Sequence, residues 1–183
     1  MIQNEFNRPQ RLDTIGAGES QVHVAAEPGE RAALAARFGL KAIDSLAADY
    51  RIRRDVQGIV ATGHLSARVV QACVITDDPV PAAIEEDFAI RFLPETEGEG
   101  GDEEIELSED ACDIVFYSGG AIDLGEAAAE TLALALDPYP RSPAAEAALR
   151  DAGVISEEEA KRLAEESGPF GGLAGLRDQL GKG

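Results

Sequence analysis

The stretch IDSLAADYRIRRDVQGIVATGHLSARVV, residues 43–70, decides how the rest of the chain is read. Ala48, Tyr50 and Ile52 alternate with Asp49, Arg51 and Arg53, and Ile59, Ala61, Gly63, Leu65, Ala67 and Val69 form a second alternating series. Side chains repeat every second residue on a strand, so each series describes a strand with one face buried. Asp77-Asp78 followed by Pro79 and Pro81 marks a turn, after which Phe88, Ile90 and Phe92 alternate again. Three strands in succession with short connections predict an antiparallel meander.

Upstream, Val22 and Val24 flank His23 as in a half-buried strand. Pro28 then suits a helix start, Ala32, Leu34, Ala35 and Phe38 keep helical intervals, and Gly39 suits a helix stop. The spacing predicts a helix over 29–38. Downstream, residues 94–113 hold ten acids and no Lys or Arg, with Gly98, Gly100 and Gly101 among them, and read as a solvated loop. Ile114–Tyr117 reads as a further strand. Asp123 stands as an N-cap with Glu126 in capping-box order, and Leu124, Ala128, Leu132, Ala135 and Leu136 form an apolar face, predicting a helix over 123–136. Pro138 and Pro140 end it. Ser156 with Glu159 opens another capped helix, and GPFGGLAGLRDQL (168–180) reads as an apolar turn or helix able to dock on the sheet. The expected fold is α+β: a curved or barrel-like antiparallel sheet of about four to six strands, with packed helices and a helical C-terminal tail. The expected division is a domain over 1–142 and a tail over 143–183.

The 183 residues carry a formal net charge of -19. That charge is unevenly placed: residues 1–76 sum to +1 and residues 77–183 to -20. An acidic surface repels nucleic acid and attracts basic proteins. Nothing in the sequence matches an apolar run of about 18 residues, which argues against a membrane span. The start, MIQNEF, lacks a basic region followed by an apolar one, and two cysteines are too few for a disulfide framework. A cytoplasmic location is therefore expected.

Catalytic and metal motifs are sparse. His23 and His64 sit on strands without metal or triad spacing, and Cys73 and Cys112 cannot alone close a four-ligand zinc site. Acids near these thiols would raise their pKa. No phosphate-binding loop, nucleophile elbow or zinc-protease motif occurs. The expectation is a binding protein with no catalytic residues, cofactor or metal; a small acidic hydrolase or metal-binding enzyme of unknown substrate is the rival. Arg51, Arg53, Arg54 and Arg68 are the candidate RNA-binding residues, with Arg51 and Arg53 on one strand face.

Several segments in order resemble one family. VVQACVITDDPV (69–80), the acidic stretch after it, DLGEAAAETLALALDPYPR (123–141) and GPFGGLAGLRDQL resemble the YceD family of large ribosomal RNA subunit accumulation proteins, and ERAALAARFGL (30–40) resembles its alphaproteobacterial members. The resemblance implies a non-enzymatic role in accumulation of 23S rRNA and in large-subunit assembly, and it transfers no catalytic residue. Many members carry Cys-x-x-Cys where this chain has Cys73 to Thr76, so only the first cysteine is kept. Two partners are compatible with that role: precursor 23S rRNA, met by the four arginines, or a basic large-subunit ribosomal protein, met by acids such as Glu126 and Glu130. No DNA and no membrane are expected.

Overall fold

The computed structural model describes residues 4–95 and 113–167. The meander is its centre: β3 (Ala42–Arg54), β4 (Ile59–Ala72) and β5 (Pro79–Pro94) pair antiparallel in sequence order. Their alternation has the expected cause. Tyr50, Ile52, Ile59, Leu65, Val69 and Phe92 point to one face and are fully buried, while Asp49, Arg51, His64 and Arg68 point to the other and are exposed. Fully burying each large apolar side chain contributes about 1.5–3 kcal/mol.

β2 (Ser20–Ala25) adds antiparallel to β3, and β6 (Asp113–Tyr117) adds to the far side of β5. The five-stranded order β2-β3-β4-β5-β6 is open at both ends, so the sheet does not close into a barrel. The sheet is antiparallel as expected except at one edge, where β6 runs parallel to β5. Its first residue, Asp113, lies level with Ile90 and its last, Tyr117, level with Pro94, so both strands run the same way.

One face of the sheet is covered. α1 (Pro28–Phe38) packs on β3, and α2 (Leu124–Ala135) packs across β4 and β5. Leu34, Leu124, Ala128 and Leu132 join the strand residues in one core. α1 starts at Pro28, with the Glu27 N–H donating to Glu30 at 2.7 Å, and stops at Gly39, whose φ of +65° only glycine adopts without strain. β1 (Pro9–Arg11) and β7 (Ala121–Asp123), three residues each and too short to show an alternating pattern, form a separate antiparallel ribbon. Asp123 is the last residue of that ribbon and the cap of α2, accepting from the N–H groups of Arg8, Gly125 and Glu126. Gly125 is required there, since a Cβ would lie 2.1 Å from the Phe6 carbonyl oxygen.

The capping box expected at α2 is half formed. Asp123 caps, but Glu126 turns away to Arg37 on α1, at 2.6 and 3.0 Å. The tail contains the helix expected from Ser156, as α4 (Glu157–Ser167) with the Glu159 N–H on the Ser156 hydroxyl, preceded by a short α3 (Ala145–Asp151). The greater part of the acidic loop, with Cys112, and the segment 168–180 lie outside the described residues.

Candidate partner-binding surfaces

Register separates the four arginines proposed for RNA. Arg51 and Arg53 share the exposed face of β3, as their spacing requires. Arg54 is drawn to the chain after β1: its guanidinium donates to the Leu12 carbonyl at 2.6 Å and its N–H to Gly16. Arg68 lies opposite Ser45, six residues from Arg51 along β3, which is roughly 20 Å. Among the described residues neither Arg51 nor Arg68 has an ion-pair partner.

Between them runs a row alternating histidine and carboxylate across four strands: His23, Asp49, His64 and Asp87. His23 Nδ1 lies 2.7 Å from Asp49. His64 faces a carboxylate at each ring nitrogen, Asp87 at 2.7 Å and Glu85 at 2.9 Å. Only the imidazolium can donate from both nitrogens, so Asp87 first and Glu85 second raise the His64 pKa above its ordinary value. Both histidines are therefore exposed sheet residues.

One cation was missed. Arg91 on β5 shares a row with Arg53, through Val60 between them. It holds Asp55 in a fork at 3.0 and 3.1 Å. Burial works against the Asp55 charge, but Arg91 and the N–H groups of Gln57 and Gly58 outweigh it and hold the carboxyl below its usual range. Pairing Arg91 with Arg53 requires the β4–β5 register, which no local pattern supplies.

The acids proposed for protein binding also divide. Glu126 is largely covered and committed to Arg37, which also reaches Glu5 at 3.2 Å. Glu130 is exposed, with its pKa raised by partial burial and then by Glu126. The sequence reading missed a third acidic place. Glu86, Asp87 and Asp113 line a groove between the edge of β5 and α2, together with Phe88, Thr131 and Leu134. The run Glu85-Glu86-Asp87 behind two prolines was its available signal, since prolines inside a strand mark an edge.

Cys73 is buried beside Thr76 and Ser142, whose hydroxyls lie 3.1 Å apart and both donate to Asp78. Burial pushes the thiol up, but the main-chain N–H of Ser142 foremost, with the N–H of Ile75, outweighs it and brings the pKa down to about 6. The expected rise of the Cys73 pKa from nearby acids is not what happens: the opposing cause is burial, and local donors outweigh it. Together with the Val74 N–H on the Pro140 carbonyl at 2.9 Å, this cluster fastens the β4–β5 turn to the chain beyond α2. Hydroxyls fill this pocket, and among the described residues no group of three or more His, Cys, Asp or Glu is disposed to hold a metal. Nor is any described helix long and apolar enough to cross a membrane.

The open five-stranded sheet with helices on one face is an α+β architecture, and the sequence comparison gives it a lineage. A family model described as large ribosomal RNA subunit accumulation protein YceD matches residues 61–177. The chain belongs to that family, which ties it to accumulation of large-subunit ribosomal RNA. Comparisons with curated proteins and with solved structures returned no match.

Proposed function

We propose that the protein is a non-enzymatic assembly factor of the cytoplasm that holds a basic large-subunit ribosomal protein, and that accumulation of 23S rRNA follows from that binding. The observation carrying this reading is the separation of the four arginines. Arg54 is spent on Leu12, and the histidine–carboxylate row parts Arg51 and Arg53 from Arg68. A phosphate backbone needs several cations along one path, because each contact replaces condensed counter-ions. Acids, by contrast, gather beside the β5 edge: among the described residues Glu86 and Asp113 have no ion-pair partner.

Capture of purified large-subunit proteins on the immobilised full chain, at low and high salt, tests the reading. Salt-sensitive retention of a basic member is expected. Retention of precursor 23S rRNA in place of any protein overturns it. A direct RNA contact is the second reading, favoured by the solvent-facing Arg51 beside Arg53.

A further inference from the structure

The strand β5 is far longer than the strand that covers it. β6 pairs with Ile90–Pro94 only, although β5 begins at Pro79. Among the described residues nothing pairs with the outward edge of residues 79–89. Such an edge presents unpaired N–H and C=O groups at every second residue, a template for another strand. Pro79 and Pro81 blunt its first few residues, which leaves Ala82–Ala89 as the usable length.

We propose that this open edge accepts an extended, lysine- or arginine-rich segment of a protein partner as an added strand. The proposal deepens the reading of a basic ribosomal protein as partner and rests on it.

Charge selects the occupant. The edge carries Glu85, Glu86 and Asp87 in succession, and Asp113 closes one end of the groove beside it. A second copy of this chain pairing edge to edge would bring these acids against their equals, which is destabilising. A basic segment turns this repulsion into attraction. The groove supplies the rest of the selectivity. Side chains of the added strand that point toward α2 meet Phe88 and Leu134, and Leu134 is 80% exposed, an unusual state for a leucine on a core-packing helix. Side chains that point away meet Asp87 and Glu85. The fitting segment therefore alternates aliphatic and basic residues.

The test uses the full chain and a capped eight-residue peptide alternating Lys and Val. Two control peptides carry N-methyl groups on alternate amides, one in each register. A strand points every second N–H toward its neighbour, so one register keeps all its bonds to β5 and the other loses them. The expected result is binding by the parent and one methylated peptide, loss of binding by the other, and slowed hydrogen exchange in Ala82–Ala89. The double variant Glu86→Lys, Asp87→Lys should weaken the parent peptide by at least about tenfold. Equal binding of both methylated peptides, or no binding of the parent, overturns strand addition. Retention of a basic large-subunit protein by wild type and double variant alike also overturns it and leaves the partner reading standing. Failure of wild type to retain any such protein is instead the failure of the partner reading.

Discussion

Tyr50, in the middle of β3, donates its hydroxyl hydrogen to the main-chain oxygen of Leu124 at 2.8 Å, joining the sheet to the first residue of α2 across 74 positions of sequence. The phenol is buried and its ring packs on Phe88 with centroids 4.9 Å apart. Burial, and then Asp123, push its pKa well up, so the hydroxyl stays a donor at any physiological pH. Tyr50→Phe keeps the ring and removes only this bond. The expected loss is about 1 kcal/mol, read as a lower urea midpoint with an unchanged slope.

Two glycine substitutions should act in opposite directions. Gly125→Ala places a methyl group against the Phe6 carbonyl, where the N-terminal segment crosses α2. Relief requires the backbone to move, and a cost of about 2 kcal/mol or more is expected. Gly29→Ala, in the first turn of α1, meets nothing within 4 Å and has ordinary helical backbone. It should stabilise by about 0.5 kcal/mol through the unfolded chain. Thermal melts of the two variants check the contrast.

The His64 pair with Asp87 and Glu85 makes a pH-dependent contribution of known sign. Its folded pKa lies above the unfolded value, so the stabilising effect is fully present below about pH 6.5 and fades as pH rises through the folded pKa. Stability measured for wild type and His64→Asn should therefore differ most at low pH and converge as pH rises. In nuclear magnetic resonance titrations Asp87→Asn should lower the His64 midpoint more than Glu85→Gln does, following the order of the two causes.

Much of this fold is legible because the meander's burial is a period-two signal. Ile52, Leu65 and Ile90 face the core as their alternation requires. What escaped is set by distance along the chain. DIVFY (113–117) reads as a strand, but five residues carry no mark of parallel or antiparallel pairing. Arg51 and Arg68 lie on neighbouring strands, which does not by itself bring them together. Their separation comes from the β3–β4 register, including its irregularity between Ile43 and Ser45. Glu126 held the place of a capping partner, and Arg37, 89 residues away, bound it instead. Local rules give the element; long-range partners decide which side chains remain free to act.

The split arginines give the sharpest decision between the two partners. If RNA is bound directly, the end of the sheet carrying Arg51 and Arg53 must supply the contacts, with Arg91 beside them partly neutralised by Asp55. Arg51→Glu with Arg53→Glu should then flatten the log–log salt dependence of RNA binding by roughly two units. Arg68→Glu, roughly 20 Å away along the sheet, should act independently and additively, removing at most about one unit. Arg54→Glu should register in stability, through loss of the bond to Leu12, and not in RNA affinity. If a basic protein is the partner, the double variant should retain it fully, because the acids at the β5 edge are untouched. Ultraviolet crosslinking in cells supplies the direct measurement. Strong crosslinks to large-subunit precursor RNA that vanish in the Arg51, Arg53 double variant would establish the RNA contact and sink the protein-partner reading, whereas unchanged weak crosslinks with full retention of the protein would uphold it.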